Sequence, residues 1–314
     1  MPPYQTGKCL VVIVGPTAVG KTALCVQLAQ QLRTEVISAD ARQCYQDMAI
    51  GTAQPTTADM QGVPHHLVNC LPLHMPYNAA LFTQDALKIM ATLWNKCDHV
   101  LMTGGSGLYI QAVCQGLDTI PPTSPTIRAD LNKALQTKGL PALVAALAAQ
   151  DPAYYQVVDR NNPQRIIRAL EVCLGTGQPY STFRKHQPVT RPFTTIKIGL
   201  TRDRQEIYQR VDQRVEHMLD QGLIQEAMAL YPYRHYNALQ TVGYREIFGY
   251  LDGHYGQEEA IRLVKRNTRR YAKRQLTWFR RDAETRWFHP DEGAAILAHI
   301  QKTHTALQPP PSYV

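Results

Sequence analysis

Near its start the chain carries an apolar run, Cys9 to Val14. Its length suits a strand, and its lack of alternation suits one buried on both faces. Gly15 to Thr22 reads as a turn, and from Ala23 to Leu32 apolar positions recur at helical spacing. Glu35 to Ala39 predicts a second strand, ending at Asp40. Gly51 to Leu73 holds glycine and proline and reads as loop. Ala79 to Trp94 predicts a helix, His99 to Thr103 a third strand, and Gly104-Gly-Ser-Gly107 a turn into a helix from Leu108. Strands alternating with helices predict an α/β fold, a parallel sheet with helices on both faces.

The pattern changes at Ile120-Pro-Pro-Thr-Ser-Pro125. Beyond it the chain turns helical and alanine-rich, with segments Ile127 to Lys138, Ala142 to Gln150 and Asn162 to Leu174. Residues 119–191 are read as a helical insertion in a core made of 1–118 and 192–314. Thr195 to Leu200 returns as a strand, and Gln205 to Gln221 and Glu258 to Arg281 predict long helices. Pro309 to Val314 is expected to fray.

Composition narrows the class. At 314 residues and 44% hydrophobic, the chain has the make-up of a globular protein of two modest domains, or of one with an insertion. No apolar run approaches the roughly 18–20 residues of a membrane helix. The N-terminus lacks signal-peptide anatomy, so the expected compartment is the cytoplasm. Without an obvious exposed apolar stripe, a monomer is expected. Seven scattered cysteines, odd in number and without a Cys-x-x-Cys pair, read as reduced thiols. The adjacent His65 and His66 diverge on any regular element, which favours a loop or packing role over a metal. Net charge is +8, and Arg262 to Arg281 contains nine cations and no acid. Arg262, Lys265, Arg266, Arg269, Arg270, Lys273 and Arg274 fall on one helical face, with Ile261, Val264, Thr268, Tyr271, Gln275 and Phe279 largely on the other. A stripe without compensating acids predicts a polyanionic partner.

The sharpest chemical signal is Gly15-Pro16-Thr17-Ala18-Val19-Gly20-Lys21-Thr22, a G-x-x-x-x-G-K-[ST] phosphate-binding loop (P-loop) between a strand and a helix. Its backbone N–H groups, the helix N-terminus and Lys21 suit a diphosphate or triphosphate, and the Thr22 hydroxyl suits Mg²⁺. An ATPase usually adds an acid at the end of a second strand. Here that strand ends in Thr103-Gly-Gly-Ser106, and Asp98 lies at its wrong end. A kinase is therefore the weaker reading. Ser106 fits either a hydroxyl donor on a second glycine turn or a helix cap. Asp40, at the carboxyl end of a strand, fits a general base, a metal ligand or a turn residue.

Taken in order, the motifs resemble the tRNA dimethylallyltransferase family. They are the P-loop, Ser38-Ala-Asp-Ala-Arg-Gln-Cys-Tyr45, Gly51-Thr-Ala-Gln-Pro55 and Gly62-Val-Pro-His-His66. Gly104-Gly-Ser-Gly-Leu-Tyr109, Asn162-Pro-Gln-Arg-Ile-Ile-Arg168, Ala169-Leu-Glu-Val172, Thr241-Val-Gly-Tyr-Arg245 and Thr268-Arg-Arg-Tyr-Ala-Lys-Arg-Gln275 follow. The resemblance implies transfer of a dimethylallyl group from dimethylallyl diphosphate, with Mg²⁺, to the exocyclic amine of the adenosine 3′ of the anticodon in tRNA. It implies Asp40 as general base, Ser106 on the bridging oxygen where the family more often has threonine, and Lys21 on the diphosphate. Arg214 resembles an arginine lining the reaction channel, with Arg210 as a competitor. Contacts to tRNA are implied for Asp40, Ala41, Arg42, Gln43, Ser106, Arg128, Gln164, Arg165, Ile166, Ile167, Arg168, Gln240, Thr241, Val242, Gly243, Tyr244 and Arg245. The basic stripe adds Arg269 and Arg270. Ala41 and Cys44 stand where the family usually has serine and valine.

Overall fold

The structure is a computed structural model that describes residues 7–185 and 187–307. Pro309 to Val314, read above as a frayed tail, lies outside them. Described residues up to Gln115 and from Thr190 onward cluster as one compact unit, and Gly116–Val189 as a second. The sequence reading had set these borders at 119 and 191.

The first unit starts with β1 (Cys9–Val14), α1 (Lys21–Leu32), β2 (Val36–Ser38), α2 (Thr57–Met60), β3 (His65–His66), α3 (Ala79–Leu93), β4 (His99–Gly104) and α4 (Gly107–Gln115). The second unit supplies α5 (Pro125–Gln150), α6 (Pro152–Val157) and α7 (Pro163–Thr176). The first unit resumes with β5 (Thr194–Leu200), α8 (Arg204–Asp220), α9 (Leu223–Leu230), α10 (Tyr244–Leu251), α11 (Gln257–Phe279), β6 (Arg286–Phe288) and α12 (Gly293–Leu307). The strands form one sheet in the order β3-β2-β4-β1-β5-β6, every pairing parallel.

Alternation along β1 explains why helices cover both faces. Leu10, Val12 and Val14 enter one core with α3 and α4, while Cys9, Val11 and Ile13 enter another with α1 and α12. A third cluster, around Tyr45, Met48, Leu223 and Tyr244, joins α9 and α10 to the segment after β2.

Two readings are corrected here. The stretch taken as loop holds α2 and β3. The first is a four-residue helix whose N-cap Thr56 and Asp59 form a reciprocal capping box. His66 Nε2 meets Glu35 at 2.6 Å, and His65 Nδ1 meets Val63 O at 2.9 Å. Both histidines are thus edge-strand residues with local partners.

In the second unit, α5 contains a break at Gly139 (φ 76), followed by Pro141. A positive φ favours glycine, and proline cannot donate into the preceding turn. The two helical segments read from the sequence are therefore the two arms of this element. Leu131, Leu147, Ile166, Ile167 and Leu170 form its buried core. Glu171 accepts from Arg128 (2.9 Å), Arg168 (3.1 Å) and Thr123 (3.0 Å). Burial works against its charge, but those donors hold the carboxyl below its ordinary pKa.

Candidate active site

The carboxyl ends of β1, β2 and β4 open into a cavity of about 960 Å³ in the first unit. Ligand sites of open parallel sheets lie at this edge. Lys21, Thr22, Asp40, Arg210 and Arg214 all line it.

Three arginines hold the P-loop. Gly20, at φ 111, starts α1 without a side-chain cap, so the first-turn N–H groups are free of intrachain side-chain acceptors. Arg210 Nε donates to Ala18 O at 2.7 Å, and Arg202 Nε to Val19 O at 3.0 Å. Arg214 donates to the Thr17 hydroxyl at 2.9 Å. The two candidates for the channel arginine therefore divide the work: Arg210 holds loop backbone and Arg214 holds a loop side chain, and both line the cavity.

Lys21 Nζ donates to the carbonyls of Gly15 (3.0 Å) and Pro16 (2.9 Å). Burial, and then the neighbouring Arg214 charge, lower its pKa to about 8, against the opposing pull of Asp40. Arg214 is lowered by burial and by Arg210. Lys21 and Arg214 are half-buried, and each has a neighbouring cation that disfavours its charge, so an anion in this site would relieve both. The Thr22 hydroxyl is exposed and has no partner among the described residues. As a hard oxygen donor at the end of the P-loop it fits Mg²⁺.

Asp40 serves as turn residue and cavity residue together. Its Oδ1 accepts from the backbone N–H groups of Arg42 (2.9 Å) and Gln43 (3.3 Å). The other carboxylate oxygen has no hydrogen-bond partner among the described residues, and the side chain lines the cavity. Ser106 Oγ accepts from the Ala41 N–H at 2.9 Å. It therefore supports the Asp40 turn from the second glycine turn instead of capping α4, and its own proton stays free to donate. The cavity wall there is Thr103, Gly104 and Gly105, without Ser106. A Cβ on Gly104 would lie 2.1 Å from Ala39 O, so only glycine lets β4 approach the Asp40 segment this closely.

Three polar residues to which the sequence reading gave no role in the site tie it together. Gln275 Oε1 accepts from Thr17 N–H (2.8 Å), and its Nε2 donates to Gly105 O (3.1 Å), joining both glycine turns through α11. Glu226 accepts from the N–H groups of Ile50 and Gly51 (2.8 Å each) and from the Tyr244 hydroxyl (2.6 Å). Tyr271 lines the cavity, and burial, then the Asp40 carboxylate, push its hydroxyl pKa up. A glutamine on the apolar face of α11 was the available signal for Gln275: a polar side chain in a buried stripe demands partners.

The residues assigned to RNA contact separate into exposed and buried groups. Gln164, Arg165, Gln240, Arg245 and Arg270 are exposed. Ile166, Ile167 and Tyr244 are each 0% exposed. Their side chains belong to cores, so any contact to RNA at these positions would be made by backbone. Gln43 is occupied, its Nε2 donating to Thr52 O (3.1 Å) and Ala53 O (2.8 Å). The basic stripe is not without acids. Asp212 of α8 pairs with Arg269 (2.7 Å), Glu216 of α8 with Lys265, and Glu259 with Arg262 (2.6 Å). The acids come from a neighbouring helix and from the first turn, outside the interval counted in the sequence. Arg270 and Lys273 are exposed and have no acidic partner among the described residues.

A family model described as IPP transferase matches residues 43–282. The chain is 48% identical over 294 residues to the tRNA dimethylallyltransferase of Cytophaga hutchinsonii, covering 94% of this chain and 97% of that protein. It is 47% identical over 293 residues to tRNA dimethylallyltransferase 2 of Parabacteroides distasonis, covering 93% and 98%. Among solved structures it is similar to the tRNA isopentenylpyrophosphate transferase of Bacillus halodurans, with TM-score 0.71, 38% identity, and 95% and 97% coverage. A eukaryotic dimethylallyltransferase acting on tRNA aligns with TM-score 0.80, 25% identity, and 98% and 81% coverage.

Proposed function

This chain belongs to the tRNA dimethylallyltransferase family, and we propose that this cavity joins dimethylallyl diphosphate to the adenosine 3′ of the anticodon. The chain is a tRNA-prenylating transferase. The position of the adenosine, the roles of individual residues and the metal are our reading of the site. The observation that carries it is a shared cavity: Asp40 and the cations Lys21 and Arg214 line the same space.

An adenine amine is a poor nucleophile, because its lone pair is delocalised into the ring. An allylic diphosphate compensates by ionising readily. As the C–O bond breaks, negative charge gathers on the departing diphosphate and positive charge on the allyl carbons. The uncapped first turn of α1, Lys21 and Arg214 meet the negative charge. Mg²⁺, held by the Thr22 hydroxyl and the diphosphate oxygens, would add further neutralisation. The amine nitrogen forms the new C–N bond and gives its proton to Asp40. Ser106 keeps the Asp40 turn in place through Ala41, and its own proton remains for the bridging oxygen. The base enters from an unpaired loop, where leaving the stack costs least. With tRNA as acceptor, the cytoplasm is the compartment we assign.

The test is incubation with Mg²⁺, unmodified tRNA and labelled dimethylallyl diphosphate, followed by digestion and identification of the labelled nucleoside. Label on the adenosine next to the anticodon is expected. Label only on free AMP, offered in parallel, would move the acceptor to a nucleotide. ATP-dependent phosphoryl transfer without prenyl transfer would refute the reading.

A further inference from the structure

The stretch Tyr231-Pro-Tyr-Arg-His-Tyr236, between α9 and α10, has no part in the chemistry above. It is an exposed knot of rings and cations. Tyr233 is 47% exposed, and Arg234 and His235 are exposed as well. Tyr233 and Tyr236 stack with centroids 5.9 Å apart and planes 15° from parallel. His235 packs on Tyr236 at 4.5 Å, and the Arg234 guanidinium lies 4.2 Å over the Tyr231 ring. The knot is braced: Tyr231 donates to Asp252, and Gln240 Nε2 donates to Arg234 O at 2.6 Å. Tyr231 is anchored on Phe248 and the third core cluster, and Tyr236 is half-buried, but Tyr233, Arg234 and His235 stand exposed, and flat π-faces and guanidinium planes are what unpaired bases stack on.

Position identifies the partner. Four residues after Asn237 the same segment becomes cavity wall, with Thr241, Val242 and Gly243 lining it. Thr241 lies five positions after Tyr236, a span of at most about 18 Å even if fully extended. Nucleotides flanking a base inserted in the cavity would pass within reach of the knot. We propose that Tyr233, Arg234, His235 and Tyr236 form a stacking platform for unpaired nucleotides beside the target adenosine. This rests on tRNA being the acceptor, and adds a contact surface to that reading.

The platform is tested with the full chain in steady-state prenyl transfer, varying tRNA at saturating dimethylallyl diphosphate. A Tyr233→Ala/Tyr236→Ala variant is compared with Tyr233→Phe/Tyr236→Phe, which keeps the rings. Stacking on an aromatic face predicts that the alanine pair raises KM for tRNA about tenfold or more, while kcat stays within about twofold. The phenylalanine pair is expected to stay within about threefold of wild type in KM. The proposal is overturned if the alanine pair leaves KM for tRNA unmoved, or if the phenylalanine pair falls as far as the alanine pair. It is also overturned if KM for dimethylallyl diphosphate rises in step, which would assign the knot to supporting the cavity. Failure of the wild-type protein to prenylate tRNA at all would instead sink the broader reading.

Discussion

Lys21 shows how one side chain is tuned by its surroundings. Two carbonyl acceptors fix its position, while burial and the adjacent Arg214 lower its pKa to about 8. In the proposed site the charged form attracts the diphosphate, so affinity is expected to be full below that value and to be lost as pH rises through it. A bound anion favours the charged form, which shifts the midpoint upward in the complex. Inorganic diphosphate affinity, measured by calorimetry between about pH 7 and 9.5, is expected to fall with rising pH in the wild type. The same titration of Lys21→Met should be weak and flat, and a wild-type profile equally flat would contradict this account. At this scale the sequence was informative about identity and silent about geometry. The P-loop pattern names Lys21 and Thr22 directly. For Asp40, turn residue and cavity carboxylate looked like alternatives, and the fold makes it both: Oδ1 holds the turn while the residue lines the cavity.

At the scale of elements, α11 carries the site's internal brace. Its apolar face is interrupted by Gln275, 5% exposed, which satisfies one donor in the P-loop and one acceptor in the second glycine turn. Gln275→Leu strands both groups, and a destabilisation of about 2 kcal/mol is expected in urea unfolding, accompanied by weaker diphosphate binding. In α7, Ile166 is wholly buried in the second unit's core. Ile166→Ala is expected to cost about 2–5 kcal/mol in that unit, whereas Arg165→Ala should leave stability within about 0.5 kcal/mol. Equal stability of the two variants would mean that Ile166 does not pack as described. Long elements with sustained periodicity were legible in the sequence: β1, α3, α8 and α11 lie where the apolar spacing predicted. β3 and β6, of two and three residues, are too short to show a period and owe their existence to pairing at the sheet edges. α9 and α10 are eight residues each and take their stability from the cluster they share with Tyr45 and Met48.

Across the whole molecule, charge is arranged by tertiary neighbours more than by composition. A net +8 and an acid-free stretch predicted an uncompensated stripe, yet α8 supplies Asp212 and Glu216 to it. Surface pairs of this kind add little stability, but they occupy Arg269 while leaving Arg270 free. The salt dependence of tRNA binding is therefore expected to separate the two. Arg270→Ala should reduce the slope of log affinity against log salt by about 0.7 to 0.9, and Arg269→Ala by less, as read from filter binding over a salt series. Identical slopes for both variants would show that the ion pair does not persist in the complex.

The central claim is that a single cavity joins the diphosphate site to the base Asp40, and single-turnover transfer by Asp40→Asn tests it most directly. Asparagine keeps the Oδ1 acceptor for the Arg42 and Gln43 N–H groups but cannot accept the amine proton. The account predicts a transfer rate lower by about 10²–10⁴, with inorganic diphosphate affinity within about threefold of wild type. A variant that transfers at the wild-type rate would contradict the account.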